Sequence, residues 1–128
     1  MDVYLIEDDE IYSEFIRKAL AQYEYKVKPF YNAEDCLKEL DNAGIPNIII
    51  IDYKLPGMNG IDFFQKVQPT VNEDETKLIF LSAIDDGNLV LDFIQKGIRD
   101  YVIKDEQVVE SLVAIIEGND DDYYFFGD

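Results

Sequence analysis

Residues 48–60 read IIIIDYKLPGMNG. Four consecutive isoleucines are β-branched and show no polar alternation. A strand with one wet face would alternate, so Ile48–Ile51 must be covered on both faces, as at the centre of a parallel sheet. The run ends on Asp52, and Pro56, Gly57 and Gly60 punctuate the loop after it. A helix is expected over about 60–68.

Apolar runs and helix-period segments alternate on either side of this strand. Val3-Tyr4-Leu5-Ile6 is a short apolar run ended by acids. Residues 10–23 carry Ile11, Phe15, Ile16, Ala19, Leu20 and Tyr23 at helical spacing, with Asp9 and Glu10 suited to the helix start. Tyr25 to Phe30 reads as a more exposed strand. Asn32 is a candidate N-cap for a helix that stops near Gly44 and buries Cys36, Leu37 and Leu40. Leu78–Leu81 is a further apolar strand, followed by a helix from about 87 to 97. Tyr101–Ile103 is a short strand. Residues 106–117 are helical, with Val108, Leu112, Ile115 and Ile116 on one side. The pattern is (βα)5 without internal repeat. It implies an α/β doubly wound sheet of five parallel strands, with right-handed crossovers and helices on both faces.

The 128 residues suit one domain, and 48% hydrophobic composition suffices for a packed core. There are 28 acidic residues against 11 basic ones, a net charge of −17. That argues against nucleic-acid binding by this domain and against adsorption to anionic membranes. The single cysteine, Cys36, allows neither an internal disulfide nor a cysteine-based zinc site, and it is expected in the core. The absence of histidine removes Ser-His-Asp triads, Cys-His pairs, HExxH zinc sites and phosphohistidine carriers. No apolar run approaches the roughly 20 residues of a spanning helix, and the N-terminus lacks a signal-peptide pattern. A cytoplasmic, reduced location is the default expectation.

In a sheet of this class the site lies beyond the carboxyl ends of the strands, at a topological switch point. Those ends carry Glu7-Asp8-Asp9-Glu10, Asp52, Ser82-Ala83 and Lys104. Crowded carboxylates repel unless a cation sits among them. The donors are all oxygen, which suits Mg²⁺. An Asp beside Mg²⁺ and Lys can attack phosphorus, the metal and the ammonium neutralising the phosphoryl oxygens. Ser82 could donate a hydrogen bond to another of those oxygens. A flavodoxin-like redox protein would need a phosphate cradle after the first strand, where this chain has EDDE.

LIEDD, IIIIDYKLPGMNG, FLSA and DYVIK, in that order and spacing, resemble the response-regulator receiver domain of two-component signalling, over roughly residues 2–117. The resemblance implies a flavodoxin-like three-layer sandwich with strand order 2-1-3-4-5, as in chemotaxis regulators. It implies that Asp52 is the phospho-acceptor. Glu7 and Asp8 would hold Mg²⁺ together with Asp52, Asp8 more directly, and the backbone carbonyl of Lys54 would complete the protein's ligands. Ser82 would be the switch hydroxyl, Lys104 the phosphoryl-binding lysine and Tyr101 the aromatic that turns inward. The donor would be a histidine kinase or histidine phosphotransfer protein acting in trans. The face formed by the fourth helix, fifth strand and fifth helix would change its partner preference. Such a domain is a switch, not an enzyme acting on a metabolite. A phosphorylation-independent interaction module is the alternative, against which every retained acidic, hydroxyl and lysine position speaks.

Two features depart from the family. Asp105 follows Lys104 where Pro after a cis bond is usual. A cis bond before a non-proline residue costs about 2.5–4 kcal/mol, so a trans bond is expected, with Lys104 still pointing into the crevice. Asp105 should turn away and cap or open the fifth helix. Residues 1–117 make the receiver domain, and 118–128 form an acidic and aromatic tail or linker. The tail could pack on this domain, on a second copy in a homodimer, or on another chain.

Overall fold

The computed structural model describes residues 1–83 and 87–118. Five strands and five helices alternate: β1 (Asp2–Ile6), α1 (Glu10–Ala21), β2 (Lys26–Phe30), α2 (Ala33–Ala43), β3 (Ile48–Asp52), α3 (Gly60–Val67), β4 (Lys77–Ser82), α4 (Gly87–Gln95), β5 (Asp100–Ile103) and α5 (Val108–Ile116). A short 3-10 turn, Gln68–Thr70, follows α3. All pairings are parallel, and the sheet order is β2-β1-β3-β4-β5. The order reverses between β1 and β3, so the switch point lies where these two strands end.

β3 is buried at all five positions. Its side chains feed two cores in alternation, because successive strand residues point to opposite faces. Ile48 and Ile50 join Val3, Leu5, Ile79, Leu81 and Val102 under α1 and α5, which contribute Ile16, Leu20, Leu112 and Ile115. Ile49 and Ile51 join Ile6, Phe80, Phe63 and Phe93 on the face covered by α2, α3 and α4. Cys36 is fully buried in this second core. The sheet is therefore the middle layer of three.

The helix starts follow local chemistry. Asp9 Oδ1 accepts from Ile11 N and Tyr12 N at 3.0 and 3.1 Å, and caps α1. Asn32 Oδ1 accepts from Asp35 N at 2.7 Å and caps α2. Gly44 ends α2 at φ +86°, a conformation that favours glycine.

α1 corrects one expectation. Ile11 is 83% exposed and Phe15 49%, and the buried residues of the helix are Ser13, Ile16 and Leu20. Ile11–Phe15 and Ile16–Leu20 both have helical spacing, but the two pairs lie about 140° apart around the axis. The helix can lay only one of them on the sheet. Of the tail only Gly118 is described; residues 119–128 lie outside the described residues, as do 84–86.

Candidate functional site

The side chains at the strand ends continue the alternation that builds the cores. Glu7 follows Val3 and Leu5, Asp52 follows Ile48 and Ile50, and Lys104 follows Val102. All three therefore emerge on the face under α1 and α5. Backbone bonds carry the ladder one residue past the strands and hold these ends: Glu7 N donates to Phe30 O at 3.0 Å, Tyr53 N to Leu81 O at 2.8 Å, and Lys104 N to Ser82 O at 2.8 Å.

Carboxylate oxygens of Glu7, Asp8 and Asp52 lie within 4.8 Å of one another. Asp52 is 6% exposed and Glu7 2%, whereas Asp8 is half-buried. Lys104 Nζ bridges the two buried acids, 2.6 Å from Glu7 Oε1 and 3.0 Å from Asp52 Oδ2. Asp52 Oδ1 accepts the Lys54 N–H at 3.1 Å, and Glu7 Oε2 accepts the Asp9 N–H at 3.1 Å. The donor set is entirely oxygen, closely spaced and anionic, which fits a hard divalent cation that keeps part of its water shell.

Burial pushes the Glu7 carboxyl up to about 7, against the opposing pull of the Lys104 hydrogen bond. Burial works against the Lys104 charge, but the bonds and charges of Glu7 and Asp52 outweigh it and raise its pKa. A crevice with this balance favours a cation over an empty space.

Asp52, Lys54, Ser82 and Lys104 line a cavity of about 390 Å³, whose apolar wall is Tyr53, Ala83 and Leu89. Ser82 is buried. Tyr101 lies apart from this cavity. It is half-buried in the second core, with its ring centroid 5.6 Å from that of Phe93. Phe93 also packs on Tyr53 at 5.4 Å and on Phe80 at 5.5 Å. The strand ends thus gather Glu7, Asp8, Asp52, Lys54, Ser82 and Lys104, while Tyr101 packs on Phe93, whose ring also meets Tyr53 of the cavity wall.

The Lys104–Asp105 peptide is trans, as are all others among the described residues. Asp105 is exposed and its Oδ1 accepts Gln107 N at 2.9 Å. Its N–H donates to Ile103 O at 2.8 Å. It therefore turns away and shapes the approach to α5, while Gln107 stands at the cap position itself.

Two participants are not evident from sequence. Gly60 has an ordinary backbone angle, and what it supplies is space. A Cβ there would sit 2.6 Å from the Asp52 carbonyl oxygen. The turning role that its place in a loop suggests is therefore the lesser one. Tyr12 lies under the site, with Lys104 Nζ 4.7 Å from its ring centroid. Its spacing of four from Ile16 and eight from Leu20, the buried stripe of α1, is the signal that could have found it.

A doubly wound sheet with an acidic crevice and one lysine at its switch point defines the class of receiver-type signalling modules. The chain belongs to the response regulator receiver domain family, which it matches over residues 3–117. Members of that family are the switches of two-component systems. The chain is 28% identical to hybrid signal transduction histidine kinase D of Dictyostelium discoideum, over 89% of this chain and 7% of that protein. It is 31% identical to the transcriptional regulatory protein AfsQ1 of Streptomyces coelicolor, over 80% of this chain and 44% of that one. It spans less than half the length of either relative. Among solved structures, the BeF3-activated DrrB receiver domain superposes with a TM-score of 0.76 at 25% identity, covering 92% of this chain and 95% of that one. Among the described residues no helix is long and apolar enough to cross a membrane.

Proposed function

We propose that Asp52 accepts a phosphoryl group from a phosphohistidine on a histidine kinase or phosphotransfer protein, with Mg²⁺ bound. The observation that carries this reading is the setting of Asp52. One oxygen is 3.0 Å from the Lys104 ammonium, and the carboxylate sits within 4.8 Å of oxygens from Glu7 and Asp8. An Asp oxygen attacks phosphorus as the P–N bond to the donor imidazole breaks, and the imidazole leaves with a proton. The donor ring must come from another chain, since this one has no histidine.

Asp8, Glu7, Asp52 and the Lys54 carbonyl would hold Mg²⁺, Asp8 most directly. The metal, when bound, neutralises charge on the phosphoryl oxygens. Lys104 pairs with a phosphoryl oxygen, and its bond to Glu7 keeps the ammonium beside Asp52 in the meantime. Ser82, on the wall of the same cavity, donates to another oxygen. Tyr101 follows that movement, and the face of α4, β5 and α5 changes its partner preference. The domain is a cytoplasmic switch rather than an enzyme acting on a metabolite. Residues 1–117 form the receiver and 118–128 a tail. The net charge of −17 speaks against direct nucleic-acid binding by this domain.

Incubation with acetyl phosphate, with and without Mg²⁺, followed by intact mass measurement tests the reading. One phosphoryl group should be gained only with Mg²⁺. Asp52→Asn should gain none and keep its fold. An Asn variant modified at the wild-type rate would overturn the assignment.

A further inference from the structure

We propose that Tyr12 is a positioning residue, whose ring face holds the Lys104 ammonium inside the acidic crevice. The inference rests on the proposed phosphoryl transfer and deepens it, because Lys104 is there the group that meets the phosphoryl oxygens.

Lys104 leaves the sheet at its last ladder bond, and the chain turns at once through Asp105. Its side chain is a flexible four-carbon stem with a charge at the tip. Glu7 and Asp52 attract that tip, at 2.6 and 3.0 Å. Attraction alone would leave the lysine free to exchange these oxygens for water. The Tyr12 ring adds a third contact to the same ammonium, with its centroid 4.7 Å from Nζ, inside cation–π range. The ring is itself fixed. Its backbone N–H is tied to the Asp9 cap at 3.1 Å, and Phe15 backs it with centroids 5.8 Å apart.

The Tyr12 hydroxyl points the same way. It is buried and has no hydrogen-bond partner among the described residues. Burying an unpaired hydroxyl is unfavourable, and an aliphatic side chain would fill this space without it. What the aliphatic chain lacks is a negatively polarised ring face beneath an ammonium. The face, not the hydroxyl, is the feature in use, so Phe should replace Tyr and Leu should not.

Two measurements on the full chain test this. In metal-free, unphosphorylated protein, the Lys104 ammonium should give an ¹⁵N NMR signal protected from water exchange. Tyr12→Phe should keep that signal, and Tyr12→Leu and Tyr12→Met should lose it by faster exchange. This arm stands even if Asp52 is never phosphorylated. With acetyl phosphate and Mg²⁺, Tyr12→Leu should slow mass gain by about fivefold, the scale of one cation–π contact, and Tyr12→Phe should restore it. In a Lys104→Met background the Tyr12→Leu effect should vanish. Full ammonium protection in folded Tyr12→Leu or Tyr12→Met would overturn the proposal. So would an unchanged Tyr12→Leu effect without the lysine.

Discussion

A Cβ added at Gly60 would lie 2.6 Å from the Asp52 carbonyl oxygen and 3.1 Å from the Phe80 ring, and Phe80 is fully buried. Neither neighbour can retreat cheaply, so Gly60→Ala should cost about 1–3 kcal/mol. Urea unfolding would measure it, and a midpoint equal to wild type would contradict the packing described. At Glu7 the issue is protonation. Burial holds its carboxyl at about 7, against an ordinary value of 4.5. Between those values the folded chain keeps a proton that the unfolded chain has released. Stability from this group is therefore present below about pH 4.5, declines through the window and is gone above about 7. The metal-free protein should melt lower at pH 8 than at pH 5.5, and Glu7→Gln should flatten that difference. An equal difference in Glu7→Gln would assign the effect to other groups.

Elements show how local pattern and packing divide the work. β3 needs two covered faces, and the helices on either side of the sheet supply them. α1 offers two apolar pairs, and only the sheet's position selects Ile16 and Leu20. Ile16→Ala should thus cost about 2–5 kcal/mol, the usual range for a buried aliphatic truncated to Ala. Ile11→Ala, at an exposed site, should stay within about 0.5 kcal/mol. Thermal or urea denaturation of the two variants separates these outcomes, and similar losses would mean that α1 is rotated. β2 is an edge strand, and its Pro29 is tolerated there because the edge does not need every N–H in a ladder.

At the scale of the molecule, a chain of net charge −17 brings three of its acids together at one sheet end. The strand order makes this unavoidable, because β1 and β3 are neighbours and their ends carry the acids. Repulsion among them is offset in part by Lys104, and a bound cation would offset more of it. Asp8→Ala should leave metal-free melting unchanged or raised, and should shrink the rise in melting temperature on adding Mg²⁺. An undiminished Mg²⁺ shift in that variant would remove Asp8 from the metal site.

Much of this was legible in the chain itself. Four β-branched isoleucines in a row read as a central strand, and five apolar runs alternating with helical stretches read as a doubly wound sheet. Asp52, Lys104 and Ser82 stand at strand ends because strand length and sheet direction follow from those runs. Tertiary structure alone decided which stripe of α1 is buried, and that Glu7 lies deeper than Asp8. It also decided that Gly60 is needed for space and that the Tyr12 ring lies against Lys104. Periodicity reports the faces of one element, with neighbours three or four residues away. Lys104 and Glu7 meet at 2.6 Å across 97 positions of chain, and that distance is set by register and packing between elements.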